Sequence, residues 1–217
     1  MLRRPAWLPG QRVLQESVAK ALPYPYYRLQ LVEYTCGLLP EAGPCIVLDV
    51  GAGDGEMARL IQHYRPDTTA IAVETFLRSG RNKDAQFVRF DGIRLPFEDA
   101  TFDVSLLLNV LHHAQAPELL LREIYRVTRS RVIVKDHLAH GWVDRMKLGL
   151  LDILGNAGTG AVVSARYLSR TEWLGLLSGL PSAEVTWHED LSFRKGWLER
   201  LFSNRLEMML QIDRGHT

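Results

Sequence analysis

A short apolar run that ends in a glycine-rich turn constrains the fold of this chain more than any other feature. Residues 47–50 lead into three closely spaced glycines, Gly51, Gly53 and Gly55. Small apolar residues bury a strand in a sheet, and glycines let the backbone turn sharply and approach a ligand closely. The pattern predicts a buried strand, a tight turn and a helix that begins near Glu56.

From Cys45 onward, apolar segments alternate with amphipathic ones, which predicts a doubly wound α/β domain. The strands are almost continuously apolar, which indicates burial on both faces and a parallel sheet covered by helices. The predicted strands are 46–50, 70–74, 86–90, 102–109, 131–136, 185–187 and 206–212. The predicted helices are 56–64, 117–127 and one that begins at Thr171.

Two stretches fall outside this alternation, and the sequence predicts one domain, 1–217, with four parts. Residues 1–40 precede the first strand and are predicted to form a helical cap, and residues 41–137 form the ligand-binding core. Residues 138–170 are glycine-punctuated, which is typical of a lid or substrate-pocket insertion. Residues 171–217 are predicted to supply a helix and a final pair of strands.

Composition narrows the classes of partner. The 217 residues include 26 Lys and Arg against 25 Asp and Glu, a net charge of +1, which does not favour a nucleic-acid partner. Cys36 and Cys45 are the only cysteines, so the sequence predicts neither a disulfide framework nor a metal site. Neither a signal peptide nor a membrane-spanning segment is expected. These features predict a cytoplasmic monomer or homodimer without stable membrane insertion.

The spacing of the glycines argues against a dinucleotide ligand. A dinucleotide-binding turn needs glycine where this chain has Glu56. Asp49, two residues before the first glycine, disfavours a pyrophosphate and suits a ligand that carries a cation or an amine. Glu74 ends the second strand, where an acid can accept hydrogen bonds from both ribose hydroxyls.

Further polar residues follow the third and fourth strands. Asp91 precedes Gly92, and its carboxylate can accept a hydrogen bond from an adenine amino group, although the pair also suits a plain turn. Asn109 ends the fourth strand and precedes His112 and His113. All of these residues follow the carboxyl ends of strands, where open α/β sheets bind their ligands.

Taken together, these features resemble a class I S-adenosylmethionine-dependent methyltransferase. The matching segments are 47–55, 72–74, 91–97 with 102–103, and 109–113. The closest resemblance is to the small-molecule branch that includes the ubiquinone and menaquinone biosynthesis methyltransferases. It implies a Rossmann-like, seven-stranded, mostly parallel sheet with an antiparallel last strand and helices on both faces. It also implies S-adenosyl-L-methionine as cofactor and S-adenosyl-L-homocysteine as product. The residues that it assigns to the cofactor are Asp49, Gly51, Ala52, Gly53, Glu74, Thr75, Asp91, Gly92, Leu108 and Asn109.

The resemblance gives these residues different roles. The glycine turn would pass under the methionine and ribose parts of the cofactor, with Asp49 facing the ammonium group. Glu74 would bind the ribose hydroxyls, and Asp91 would fix the edge of the adenine. Asn109, with the preceding carbonyl, would close on the methionine amine.

Methyl transfer from a sulfonium has an excellent leaving group, so the protein mainly positions the acceptor. A base is needed only where the acceptor must lose a proton. The candidate bases are His112, His113, Asp136 and His137, of which the last three are predicted catalytic residues. The predicted acceptor-binding residues are Tyr24, Tyr27, Trp142, Asn156 and Tyr167. The chain lacks the Asn/Asp-Pro-Pro-Tyr tetrapeptide of exocyclic-amine methyltransferases, which favours an oxygen or carbon of a small metabolite.

Three alternatives remain open at this point. The first is a reaction other than methylation that uses the same cofactor, and the second is a non-catalytic subunit that binds it. The third is a nicotinamide-dependent oxidoreductase, which Glu56 in place of a glycine disfavours.

Overall fold

The computed structural model describes residues 25–41, 43–77, 85–156, 166–189, 191–194, 196, 199–200 and 202–215. Seven strands and five α-helices lie within these ranges. The strands are β1 (Cys45–Val50), β2 (Thr68–Glu74), β3 (Gln86–Arg89), β4 (Phe102–Leu108), β5 (Thr128–His137), β6 (Ala183–His188) and β7 (Glu207–Arg214). The helices are α1 (Pro25–Leu38), α2 (Glu56–Tyr64), α3 (Pro117–Val127), α4 (Trp142–Asn156) and α5 (Arg170–Leu177).

The seven strands form one sheet with the order β3-β2-β1-β4-β5-β7-β6. The first five pair in parallel, and β7 runs antiparallel to both β5 and β6. Asp49 of β1 lies between Ala72 of β2 and Leu106 of β4, so the end of β1 is central in the sheet. The predicted Rossmann-like sheet with an antiparallel last strand is confirmed.

Two apolar cores lie on the two faces of this sheet. On β5, Val132 and Val134 join the core built with α3 and α5, whereas Ile133 joins the core built with α1 and α2. Successive side chains of a strand point to opposite faces, so an almost continuously apolar strand serves both cores. The helices therefore cover both faces, as the sequence predicts.

Helix α4 occupies much of the stretch predicted as a glycine-punctuated lid, and the sequence analysis did not predict a helix there. Gly149 lowers the helix propensity of this segment, which conceals the pattern. Asp144 and Leu148, four residues apart, are nevertheless both buried, so α4 packs one face against the domain. Residues 1–24 of the predicted cap lie outside the described ranges, and α1 forms most of the remainder. None of the described helices combines the length and the apolar character that crossing a bilayer requires.

Candidate functional site at the carboxyl ends of the strands

The turn after β1 depends on its glycines. Gly51, Gly53 and Gly55 have φ angles of +66°, +61° and +77°, in the left-handed region that costs other residues energy. A Cβ on Gly51 would also lie 2.6 Å from a methyl carbon of Val110. The turn therefore exposes bare backbone at the centre of the sheet's carboxyl edge, where a ligand can approach it closely.

Asp49 places a carboxylate beneath this turn. Its side chain is 2% exposed, and its Oδ2 atom has no hydrogen-bond partner among the described residues. Burial, and then the charges of Glu74 and Asp54, raise the pKa of Asp49 to about 7. A buried, unpaired carboxylate oxygen is costly unless a donor or a cation meets it. The position therefore suits a positively charged group.

Glu74 holds the glycine turn from the end of β2. Its Oε2 atom accepts a hydrogen bond from the amide of Gly53 at 2.9 Å. Its Oε1 atom accepts one from the amide of Thr75 at 2.8 Å and one from the Thr75 hydroxyl at 3.2 Å. The predicted ribose-binding acid thus lies beside the turn, with its carboxylate already oriented by backbone amides.

Asp91 and Gly92 form a tight turn after β3. The Oδ1 atom of Asp91 accepts hydrogen bonds from the amides of Ile93 at 2.8 Å and Arg94 at 2.7 Å. These bonds lower the pKa of Asp91. Gly92 has a φ angle of +87°, and a Cβ there would lie 3.3 Å from Thr75. The turn therefore packs beside the end of β2, where the predicted adenine-binding residues meet.

Asn109 connects the end of β4 to helix α1. It follows Leu108, the last residue of β4, in a left-handed conformation with a φ angle of +61°, which asparagine tolerates better than most residues. Its Oδ1 atom accepts a hydrogen bond from Lys135 Nζ at 2.5 Å, and its Nδ2 atom donates to the Tyr27 hydroxyl at 3.0 Å. Tyr27, predicted to bind the acceptor, therefore lies against a predicted cofactor-binding residue.

A buried ionic network supports Asn109 from below. Lys135 and Glu207 are fully buried and form an ion pair, and Arg194 pairs with the second oxygen of Glu207. Burial lowers the pKa of Lys135, but the charge of Glu207 more than offsets this and leaves the pKa raised. Burial likewise raises the pKa of Glu207, but Lys135 and then His137 hold it well below its usual range. The network therefore places paired, buried charges at the end of β5.

A second polar cluster, the histidine cluster, comprises His112, His113, Asp136, Asp152 and Tyr167. The Nδ1 atom of His112 lies 2.6 Å from Asp136 Oδ1, and His113 Nε2 lies 3.5 Å from Asp152 Oδ1. Burial lowers the pKa of His112, but the adjacent Asp136 outweighs it and raises that pKa. The ring of Tyr167 stacks on His112 with centroids 5.6 Å apart.

His137 links the two clusters. Its ring centroid lies 5.1 Å from that of His112, and its Nδ1 atom lies 3.3 Å from Glu207 Oε2. Burial lowers the pKa of His137. The three predicted catalytic residues, His113, Asp136 and His137, thus surround one further histidine, and Tyr167 joins them.

The other predicted acceptor-binding residues are less concentrated. Trp142 is 72% exposed and lines an open depression with His140, Lys147 and Arg205. Asn156 ends α4, but its side chain lies outside the described part of the structure, as does the whole of Tyr24. Their roles stay predictions.

Sequence reasoning missed three charged residues that the fold buries at this edge. Lys135 follows three apolar residues of β5, and Glu207 begins the apolar strand β7. A charged residue next to an apolar run of a strand is a detectable signal, because charges are rarely buried unless they are paired. Asp152 lies on α4, and without that helix its meeting with His113 could not be predicted.

Comparison with known proteins agrees with this geometry. Residues 48–134 match the family described as "Methyltransferase domain". An uncharacterized methyltransferase of Mycolicibacterium gilvum is 40% identical over 93 residues, which is 38% of this chain and 34% of that protein. A demethylmenaquinone methyltransferase of Streptomyces griseus is 41% identical over 58 residues, which is 26% of this chain and 25% of that protein. The alignments thus span about a third or less of these curated relatives.

A solved structure extends the likeness of fold to almost the whole chain. An S-adenosylmethionine-dependent methyltransferase of Thermotoga maritima, described as a possible histamine N-methyltransferase, superposes with a TM-score of 0.62 at 19% identity. The superposition covers 94% of this chain and 98% of that one. The family match spans β1 to β5, which carry the glycine turn, Glu74 and Asn109. Residues 48–134 therefore match the methyltransferase domain family, and the fold of the chain is that of an S-adenosylmethionine-dependent methyltransferase.

Proposed function

We propose that this protein transfers a methyl group from S-adenosyl-L-methionine to an oxygen or carbon of a small metabolite. The observation that carries the proposal is the unpaired, buried carboxylate oxygen of Asp49 beneath the glycine turn. The cofactor has two positive charges, a sulfonium and an ammonium. A buried carboxylate with one oxygen free of hydrogen bonds, beside a turn that lacks the glycine spacing of a dinucleotide site, suits this ligand better than an anionic dinucleotide.

The residues that would hold the cofactor fit it from three sides. The turn Gly51, Ala52 and Gly53 offers bare backbone, and Glu74 offers an oriented carboxylate to the ribose hydroxyls. Thr75, Asp91 and Gly92 would flank the adenine, and the Leu108 carbonyl and Asn109 would meet the methionine amine. The cofactor supplies an electrophilic methyl group on sulfur, and the protein supplies position and charge.

Proton removal from the acceptor, where it is needed, would fall to the histidine cluster. Asp136 holds the Nδ1 side of His112 at 2.6 Å, which orients the ring and stabilises its protonated form. His113 is partly exposed, so it can reach an acceptor directly. His137 is buried against Glu207, so it would take up a proton from the buried side of the site. Such an arrangement suits a hydroxyl or an acidic carbon as the methylated atom.

The acceptor would be small and partly apolar. Tyr27 and Tyr167 present aromatic rings next to Asn109 and His112, and Trp142 adds an exposed ring on α4. The near-neutral charge of the chain does not favour a nucleic acid. Two curated relatives are named demethylmenaquinone methyltransferase, which supports a small, partly apolar acceptor. A cytoplasmic monomer or homodimer stays part of this proposal.

Turnover with two fractions of cell extract tests the proposal. The full-length protein is incubated with S-adenosylmethionine labelled in its methyl group and with either the low-molecular-weight or the macromolecular fraction. We expect label, and stoichiometric S-adenosylhomocysteine, only with the small-molecule fraction. Label in nucleic acid or protein would overturn the acceptor class. Cofactor that binds but is never consumed would favour the non-catalytic alternative, and consumption without methylated product would favour a different reaction.

Asp49→Asn tests the residue on which the proposal depends. The amide keeps the size of the side chain but removes the negative charge, so we expect weaker cofactor binding and lower turnover at limiting cofactor. Asp67→Asn, at an exposed acid before β2, is the matched control and should change neither.

A further inference from the structure

We propose that His112, His113 and Asp152 form a binding site for one divalent transition-metal ion of the zinc class. Two of these residues lie in the 3₁₀ turn Leu111–His113 after β4, and the third lies on α4. The fold brings the two segments together at the same carboxyl edge as the proposed cofactor site.

The candidate ligand atoms of the three residues lie close together. One donor atom from each of the three residues lies within 4.8 Å of the other two. His113 Nε2 and Asp152 Oδ1 lie 3.5 Å apart. Two tetrahedral zinc ligands, each with a bond of about 2.1 Å, lie about 3.4 Å apart. Two imidazoles and one carboxylate are donors that zinc, iron(II) and similar ions accept, with positions left open for water or an acceptor.

An overlapping triad, His112 with Asp136 and His137, is less suitable. His112 Nδ1 lies only 2.6 Å from Asp136 Oδ1, a hydrogen-bond distance that leaves no room for an ion between them. Asp136 also accepts hydrogen bonds from the amides of His137 at 2.7 Å and His112 at 3.3 Å. Asp136 is therefore the outer partner that holds Nδ1 and leaves the Nε2 atom of His112 as the metal ligand.

The surrounding contacts hold the three ligands in place before any ion binds. Tyr167 stacks on His112 at 5.6 Å, and its hydroxyl donates to the carbonyl of Leu148, one turn before Asp152 on α4. The carbonyl of His112 accepts a hydrogen bond from the amide of Arg166 at 2.8 Å. The turn after β4, the segment before α5 and helix α4 are thus joined around the site, as a preorganised metal site requires.

The burial of the ligands gives the site one open side. The side chains of His112 and Asp152 are 3% and 9% exposed, whereas that of His113 is 27% exposed. An ion held there would bind an oxygen of an incoming acceptor and lower its pKa, in which case His112 and His113 are ligands and not the proton acceptors. That use rests on the proposed function, but the binding of the ion does not.

Metal binding to the tag-free, full-length protein tests the proposal without any cofactor. The protein is stripped with a chelator, titrated with Zn²⁺ or Co²⁺, desalted and analysed by mass spectrometry of the metal. We expect one ion per chain and, with Co²⁺, visible absorption bands of a nitrogen-ligated site. Because neither cofactor nor acceptor is present, the result is independent of methyl transfer.

Variants assign the ligands. We expect Asp152→Asn and His113→Gln each to weaken Zn²⁺ binding at least tenfold. We expect Asp136→Asn, which changes the outer partner, to weaken it 10- to 100-fold. His63→Gln, at an exposed histidine of α2, is the matched control and should bind like the unaltered protein.

The proposal is overturned if the unaltered protein does not retain one ion per chain. This result does not depend on the folding of any variant. The proposal is also overturned if Asp152→Asn and His113→Gln, folded by circular dichroism, bind Zn²⁺ as tightly as the control. The pair at 3.5 Å would then be an ordinary hydrogen-bonded ion pair.

Discussion

The carboxylate of Glu74 accepts a hydrogen bond from the amide of Gly53 at 2.9 Å, so the acid that ends β2 holds the turn that follows β1. One side chain thus orients the bare backbone and offers its remaining lone pairs to a ligand. The two strands are neighbours in the sheet, which makes this contact a direct consequence of the strand order.

Replacing Glu74 tests this double role. We expect Glu74→Ala to weaken S-adenosylmethionine binding, because two hydrogen bonds from the ribose to a charged acceptor are lost. Each such bond contributes about 1.5–3 kcal/mol. Calorimetry with the purified variant measures the loss, and Glu118→Ala on α3 is the control. Unchanged affinity would mean that the ribose lies elsewhere.

The conformation of Gly51 makes a second prediction. Alanine there must adopt a φ angle of +66° and place its Cβ 2.6 Å from Val110. The left-handed conformation alone costs about 1–2 kcal/mol, so we expect Gly51→Ala to lower the free energy of unfolding by at least that amount in urea denaturation.

The double variant Gly51→Ala with Val110→Ala separates the two causes. Removing the Val110 methyls should relieve the crowding but not the backbone strain. If Gly51→Ala unfolds at the same urea concentration as the unaltered protein, the turn is not as tight as described.

The raised pKa of Asp49 predicts how stability depends on pH. The folded protein keeps the Asp49 proton up to about pH 7, whereas the unfolded chain loses it near the ordinary aspartate pKa of 3.8. The folded state therefore binds more protons between these values, so this contribution to stability is complete below about pH 4 and is lost as the pH rises to about 7. The whole effect is on the order of 4 kcal/mol.

Urea denaturation between pH 4 and 8 measures this effect as a difference between two proteins. We expect the stability of the unaltered protein to fall with pH relative to that of Asp49→Asn. A cationic ligand favours the ionised carboxylate, so cofactor affinity should rise through pH 7 in the unaltered protein only. If the two proteins showed the same dependence of stability on pH, the carboxyl group of Asp49 could not have a raised pKa in the folded state.

The Lys135–Glu207 pair predicts a large effect on stability. Lys135→Met leaves Glu207 buried with one cation fewer, and breaking a buried pair from one side costs about 3–5 kcal/mol. We expect a correspondingly lower free energy of unfolding, measured with urea. Adding Glu207→Gln removes the uncompensated acid but also the partner of Arg194, so we expect it to recover only part of the loss. A double variant that loses as much as the two single variants together would show that Lys135 and Glu207 do not compensate each other.

Much of the fold could be predicted from the sequence because its signals are local. Apolar runs of the right length give β1, β4 and β5, and the glycine turn marks the start of α2 within one residue. The predicted cofactor-binding residues follow from the same rule, because each lies near the carboxyl end of a strand and parallel strands end at one edge.

The rest of the site depends on contacts that local patterns do not contain. Helix α4 is concealed by its glycines, and its Asp152 meets His113 only in the folded chain. Glu207 lies on β7, which pairs with β5 in the sheet although β6 separates the two strands along the chain. Local patterns therefore do not predict that Asp152 and Glu207 join this edge.

Calorimetry with S-adenosylmethionine and with NAD, each added separately to the full-length protein, tests the central claim most directly. We predict that S-adenosylmethionine binds at one site per chain and that NAD shows no measurable binding, because Asp49 and Glu74 place negative charge where a pyrophosphate would lie. Tight binding of NAD without any binding of S-adenosylmethionine would contradict the account.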